Sequence, residues 1–415
     1  MSTDKPIRIG VVGVGRGMSF ADMAPHVGME LVALCDTWEA RLLEVGKRLN
    51  VATYVDFDRF LEHDMDAVVL ANYFHQHAPL AVKALQAGKH VMSETSACKT
   101  LGEGVALARA VKKSGKIYMF AENYAYFAYV QEMRRLYYLG EIGEVRYAEG
   151  EYIHPMDWTS WFQISPGINH WRRHIPPTYY CTHAMAPIMF VTDTRPVSVN
   201  SLSITHADDD KNQPFVTFSD AFSVTICRMD NGAVSRITGV GGSGGHSIWY
   251  RFHGKRGRME NMRTGDTGML RVLHDEWDLR EGEEVEKIYL PDFPVHADLA
   301  RAAGHGGGDF FTAYHFAEAI RQDQQPYMDV YRGIAMTLVG IQAWRSCHAN
   351  GAPVEIPDFR DESIRAKHAN DDWSPFPEDR RPGQPWPSIL GEFKPRPEAV
   401  AFARKVWKEM GYEGE

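Results

Sequence analysis

The sequence predicts an α/β Rossmann domain followed by an α+β domain with a large, mostly antiparallel open sheet. Three observations carry this. Up to about residue 125, short apolar β-rich runs alternate with helical stretches, the pattern of a parallel sheet covered on both faces. The first run leads straight into Gly13-Val14-Gly15-Arg16-Gly17, a glycine turn opening a helix. From about residue 145, strand candidates succeed one another with few helices between them.

In chain order, Ile7–Val12, Leu31–Cys35, Ala67–Ala71, His90–Ser93 and Ile117–Ala121 read as the parallel strands. Helices begin near Met18, Glu39, His77, Leu101 and Tyr129. The second domain takes Val145–Ile153, Val197–Thr205, Phe222–Arg228, Ala233–Thr238, Ile248–His253 and Gly257–Glu260 as strands. Asp230-Asn231-Gly232 is a hairpin turn, because Asn and Gly tolerate the positive φ it requires. Helices return at Thr182–Phe190, Asp309–Arg321 and Gly333–His348, and a Pro-, Asp- and Arg-rich stretch follows. The expected division is a Rossmann domain over 1–125, a substrate domain over 126–360, and a tail over 361–415 packing on the surface.

Composition narrows the function. With 44% hydrophobic and 24% charged residues the chain has the make-up of a globular protein. A formal charge of −9 argues against nucleic acid or an anionic membrane as partner. Five scattered cysteines without a CxxC pair point to a reducing compartment, and 18 histidines without an HExxH-like pair give no reason to expect a metal. The first residues lack an apolar h-region, and no apolar stretch approaches ~18 residues, so the expectation is a cytoplasmic protein without a membrane span.

In the glycine turn, Gly13 permits the tight bend and Gly15 lets the backbone approach a pyrophosphate. The third glycine of the strict GxGxxG pattern falls at Met18, so the pattern is broken. Asp36 closes the second strand about 20 residues on, where a carboxylate bonds the adenosine ribose and disfavours a 2′-phosphate. Its competing role is a helix cap. The reading is NAD rather than NADP.

Further along, Tyr180 and His183 stand three apart at a helix start after Pro176-Pro177, so both face one side of the first turn. An imidazole suits proton exchange with a hydroxyl, and Tyr180 or its neighbour Tyr179 offers a phenol. Gly304-His305-Gly306-Gly307-Gly308-Asp309 is a glycine-rich turn into a helix, with His305 free to enter a cleft and Asp309 either a substrate contact or a cap. Trp171-Arg172-Arg173 mixes an aromatic face with cations suited to a sugar or an anionic substituent.

Taken together, Gly13–Gly17, Asp36, His77…Ala87-Gly88-Lys89-His90-Val91, Glu94, Ala121-Glu122-Asn123 and Leu139-Gly140-Glu141-Ile142-Gly143-Glu144 resemble the Gfo/Idh/MocA oxidoreductases. The resemblance implies an NAD-dependent enzyme, a cofactor site drawing on Gly13, Gly15, Arg16, Gly17, Asp36, Asn72, His77, Glu94 and Asn123, and a homodimer or homotetramer formed through the antiparallel sheet. Dehydrogenases of that family carry Glu-Lys-Pro, with the lysine beside the reacting hydroxyl. This chain has Glu94-Thr95-Ser96, and Lys99 lies too far along. The family's NAD-dependent glycoside hydrolases of the α-N-acetylgalactosaminidase type also lack the lysine. They are similar at Glu122-Asn123…Tyr126, Glu151-Tyr152-Ile153-His154, Tyr180-Cys181-Thr182-His183 and Gly304–Asp309. They have proline where Cys181 stands, so their substrate does not carry over.

The resemblance therefore implies a carbohydrate-active enzyme with Tyr180, His183 and His305 as catalytic residues. Tyr126, Trp171, Arg172, Arg173, Tyr179 and Asp309 are expected to contact substrate. The leading expectation is a glycosidase working through transient oxidation of the sugar. A sugar or cyclitol dehydrogenase that releases NADH is the second, and a non-catalytic NAD-binding sensor the third.

Overall fold

A computed structural model describes residues 5–206, 216–241, 245–392, 394–412 and 414. The first sheet comprises β1 (Ile7–Val12), β2 (Met29–Cys35), β3 (Ala52–Tyr54), β4 (Ala67–Leu70), β5 (His90–Ser93) and β6 (Tyr118–Phe120). Its order is β3-β2-β1-β4-β5-β6, and every pairing is parallel. The strand order reverses between β1 and β4, which opens a crevice at their carboxyl ends. β1, β4 and β5 are almost wholly buried because helices cover both faces. These helices are α1 (Gly17–Met23), α2 (Glu39–Leu49), α3 (Phe57–Leu61), α4 (His77–Gln86) and α5 (Leu101–Ser114). α5 starts where Thr100 accepts from the Glu103 amide and stops at left-handed Gly115. The sequence reading missed β3, a three-residue edge strand too short to show a period.

The second sheet has nine strands: β7 (Val145–Ile153), β8 (Pro196–Ile204), β9 (Phe222–Met229), β10 (Val234–Thr238), β11 (Ser247–Gly254), β12 (Gly257–Asn261), β13 (Leu270–His274), β14 (Glu286–Tyr289) and β15 (Val354–Glu355). Its order is β14-β13-β12-β11-β7-β10-β9-β8-β15, antiparallel except for the β7–β10 pair. The turn at Asp230–Gly232 joins β9 to β10 as a hairpin. β13, β14 and β15 were not foreseen.

The remaining helices are α6 (Ala128–Tyr138), α7 (Trp158–Ile164), α8 (Thr182–Thr192), α9 (Ala297–Ala302), α10 (Gly308–Gln322), α11 (Val330–His348), α12 (Glu362–Arg365) and α13 (Pro397–Glu409). Every residue of α8 is buried, as expected of a helix that is apolar all round and lies against β7. A side chain at Gly150 would collide with the Ala184 carbonyl, so β7 and α8 lie flush. α11 touches α5 and β6 of the first domain and β8 of the second, so one continuous core runs through both.

The tail does more than cover a surface. Asp379 pairs with Lys99 at 2.5 Å, and the Trp386 carbonyl accepts from the Trp344 indole. The chain then forms α13, which packs on α7 in a small second core of Phe162, Val216, Ala399, Ala403, Val406 and Trp407. Among the described residues no helix is long and apolar enough to cross a membrane.

Candidate active site

The glycine turn divides its tasks residue by residue. Gly13 has φ 97°, and a Cβ there would sit 2.5 Å from the Ala71 carbonyl oxygen, so only glycine fits. Gly15 faces open space, leaving its backbone approachable. A Cβ at Gly17 would lie 2.5 Å from Val11, so Gly17 performs the close helix–strand packing of the third fingerprint glycine. The broken pattern at Met18 is thus a displacement by one residue. Asp36 accepts the Val14 and Trp38 amides at 2.8 Å, one on each carboxylate oxygen. Each oxygen keeps a second lone pair. Open space at Gly15 and a carboxylate at the end of β2 fit a dinucleotide with an unphosphorylated ribose.

Beside the turn, Asn72 leaves its buried Oδ1 without a partner. His77 is buried and faces the carbonyls of Ser96 and Asn72 with its two ring nitrogens. Burial pushes its pKa down despite these carbonyls. His77 therefore ties the ends of β4 and β5 together and does not line the crevice.

Arg16 links the two domains. Its Nε donates to Glu94 at 2.6 Å, and its two terminal nitrogens donate to Asp309 at 2.8 and 2.6 Å. Asp309 also accepts from Asn123 Nδ2 at 3.0 Å and pairs with His305 Nδ1 at 2.9 Å. Burial alone would raise the Asp309 pKa, yet the Arg16 and His305 hydrogen bonds hold it well below the usual carboxylate range. With four donors on a buried carboxylate, Asp309 has no acceptor capacity left for a substrate; it fastens the domains and orients His305, which is partly exposed.

The substrate half centres on His183 in the first turn of α8. Its Nδ1 lies 2.7 Å from Oε1 of the fully buried Glu122. A carboxylate at that distance holds the proton on Nδ1 and leaves Nε2 to exchange protons. Tyr124 stacks on the imidazole at 4.2 Å, and Tyr152 and Tyr180 meet it edge-on at 4.7 and 5.3 Å. Tyr152 and Tyr180 also stack on each other at 5.9 Å. Burial holds the Tyr124 and Tyr152 phenols well above their ordinary range. The Tyr250 hydroxyl donates to the His183 carbonyl at 2.7 Å and braces the helix start.

Several expected contacts lie elsewhere. Tyr179 is buried against Phe74 and Trp344, with its hydroxyl on the Lys99 carbonyl, so of the two tyrosines only Tyr180 faces His183. Tyr126 packs among Phe190, Phe311 and His315 and is buried. Trp171 is buried too, with Phe74 stacked at 5.3 Å and the Arg172 guanidinium at 4.3 Å, so its ring faces are taken. Arg173 donates to the carbonyls of Gly167, Val216 and Ser165 beneath Trp407. Burial without a carboxylate lowers its pKa to about 9. Arg173 supports the fold of this segment. Trp158 and Trp161 pack on the small core under α13.

Glu122 and Tyr152 stand in motifs that carry the resemblance but were given no role there, and Tyr124 was missed by sequence reasoning. The period-2 alternation that buries Ala148, Gly150 and Tyr152 on one face of β7 is the signal that was available. The three potential metal ligands that come together, Glu141, His274 and Glu283, lie at the β12–β13 end of the sheet, where Arg256 already binds Glu283 at 2.8 Å.

Comparison with known proteins matches two separate parts of the chain. The Gfo/Idh/MocA model, described as an oxidoreductase family with an NAD-binding Rossmann fold, matches residues 7–122. The glycosyl hydrolase 109 C-terminal domain matches residues 244–365. A glycosyl hydrolase family 109 protein of Bacteroides thetaiotaomicron is 26% identical over 405 residues, covering 85% of this chain and 84% of its own. One from Solibacter usitatus is 26% identical over 402 residues, covering 85% and 88%. Levoglucosan dehydrogenase in complex with NADH and levoglucosan superposes with a TM-score of 0.69 at 20% identity, over 85% of this chain and 100% of that one. An oxidoreductase domain protein from Kribbella flavida gives 0.68 at 21%, with the same coverage. At these identities the structural likeness shows the fold.

Proposed function

We propose that this chain, an NAD-dependent enzyme of the Gfo/Idh/MocA type with a glycosyl hydrolase 109 C-terminal domain, is a glycosidase. It would act by transient oxidation at the sugar C3, elimination across C1–C2, addition of water and re-reduction. The observation that carries this reading is the Glu122–His183 pair ringed by Tyr152 and Tyr180, in a chain with no lysine at the usual dehydrogenase position. Lys99, the nearest lysine in sequence, is held by Asp379 and Glu378 of the tail.

Bound NAD⁺ would supply a reversible hydride acceptor at C3, and the resulting ketone acidifies the C2 proton. His183 Nε2 takes the C3 hydroxyl proton, and Glu122 stabilises the imidazolium that forms. Tyr180, ionised as the phenolate, takes the C2 proton, while burial keeps the stacked Tyr152 phenol protonated, a hydrogen-bond donor and not a base. His305, oriented by Asp309, is the remaining imidazole for proton exchange with the leaving group or water. The backbone at Gly13 and Gly15 and the Asp36 carboxylate would hold the dinucleotide.

The decisive experiment is turnover in D₂O. Elimination must break the C2–H bond, so the product should carry deuterium at C2, thioglycosides should be cleaved, and no NADH should accumulate in solution. A product fully protonated at C2 with stoichiometric NADH release would make the protein a sugar dehydrogenase instead. Single-turnover absorbance of Tyr180→Phe then tests the base: this variant should still form bound NADH but not exchange C2, whereas Tyr152→Phe should do both.

A further inference from the structure

The adjacent arginines of the 171–173 turn have opposite surroundings. Arg173 is fully buried on backbone carbonyls. Arg172 is partly exposed and forms no ion pair with any described residue. Its backbone amide is tied to His170 Nδ1, and its guanidinium lies over the Trp171 ring at 4.3 Å. Stacked in this way, a guanidinium keeps its in-plane N–H edge free. Trp171 is itself clamped on Phe74, and His170 meets Tyr73 at 4.9 Å. Both contacts are to the segment that follows β4, so Arg172 stands at the cofactor crevice.

Burial lowers the pKa of the His170 and His154 imidazoles and the Arg172 charge lowers it further; burial raises that of the Tyr152 phenol and the same charge works against that rise. His154 packs between Tyr152 at 5.6 Å and His246 at 4.5 Å. Described carboxylates of this region are engaged elsewhere: Asp157 with the Ser160 amide, Glu122 with His183, and Glu151 with Ser247, Arg236 and Arg263. Among the described residues, Arg172 is thus a guanidinium without a carboxylate partner.

We propose that the substrate is an acidic sugar whose carboxylate is held by the free edge of Arg172. This rests on the reading of the site as carbohydrate-active and adds the substrate's charge. A guanidinium edge matches a carboxylate with two parallel hydrogen bonds, which a neutral hydroxyl cannot reproduce.

The test is calorimetric titration of the NAD-loaded protein with matched pairs, D-glucuronate against D-glucose and D-galacturonate against D-galactose, along with their aryl glycosides. The acidic member of at least one pair should bind about tenfold or more tighter, and added salt should weaken that member selectively. Arg172→Met should abolish the preference, and Arg172→Lys should keep only part of it. Equal binding of acidic and neutral members, with no selective effect of salt on the wild type, overturns the acidic substrate and leaves the glycosidase reading intact. A panel in which no member binds or changes the NADH absorbance overturns both.

Discussion

The two walls of the cleft are built on different logic. On the proposed cofactor wall, the site is made by the backbone of one short segment: Gly13 and Gly17 each meet a distinct steric demand and Gly15 faces open space, all within five residues. On the substrate wall, function lies in side chains delivered by four separated pieces of chain, around Glu122, Tyr152, His183 and His305. A wall made of contiguous backbone is legible in a sequence. A wall assembled by tertiary packing is visible only where one of its pieces happens to be local, as with Tyr180 and His183.

The largest expected effect falls on the substrate wall. His183→Ala should slow formation of bound NADH by about 10²–10⁴-fold in single-turnover absorbance, with NAD⁺ affinity by calorimetry unchanged. Glu122→Gln should fall between wild type and His183→Ala, because the amide oxygen still accepts from Nδ1 while its charge is gone. If His183→Ala weakens NAD⁺ as much as it slows chemistry, the two walls are not separable in this way.

Next comes the seam. Asp309→Ala leaves Arg16 with Glu94 alone and takes the acceptor from Asn123 and His305. Breaking one partner of a buried pair should cost about 3 kcal/mol, read as a lowered midpoint in chemical denaturation. A fall confined to activity, with stability unchanged, would make Asp309 a substrate contact after all.

On the cofactor wall the effect is smaller and confined to binding. Asp36→Ala should weaken NAD⁺ by about 1.5–3 kcal/mol through loss of hydrogen bonds to a charged acceptor. A wild type that prefers NADP⁺ would contradict the role given to Asp36.

These residues also show where legibility ended. The order of sheet and helices followed from periodicity; the missed strands β3, β13, β14 and β15 all lie toward the edges of their sheets. Met18 seemed to break the fingerprint because the pattern counts positions, whereas the fold needs only a small residue against Val11, which Gly17 provides. Trp171 and Arg173 carry the residue types of a sugar site, yet packing spends the first on Phe74 and the second on the carbonyls of Ser165, Gly167 and Val216. Nothing local separates Arg173 from Arg172; the difference arises when α13 closes over α7. Tyr179 and Tyr180 differ by one position, and the 3₁₀ turn at Pro177–Tyr180 sends one into the core and the other toward His183.

The smallest effect concerns a control carboxylate away from both walls. Glu103 sits in the first turn of α5 and accepts only the Lys99 amide, at 2.9 Å. Burial outweighs that bond and the Lys99 charge, and its pKa rises to about 7. Asp309 shows the opposite balance, since four donors overcome its burial. The two carboxylates therefore link to pH with opposite sign. Asp309, with its pKa depressed, contributes stability above the unfolded value near 3.9 that disappears as pH falls through the folded one. Glu103, with its pKa raised, contributes stability below the unfolded value near 4.3 that is lost as pH climbs through about 7. Glu103→Gln keeps an acceptor for the Lys99 amide and removes the buried charge. Its gain over wild type should be on the order of 1 kcal/mol or more larger at pH 8 than at pH 5, measured as the shift in denaturation midpoint across that range. A gain that is the same at both pH values would mean that the charge of Glu103 is not what costs stability. The contrast with Asp309 would then rest on packing rather than on the number of donors each carboxylate is given.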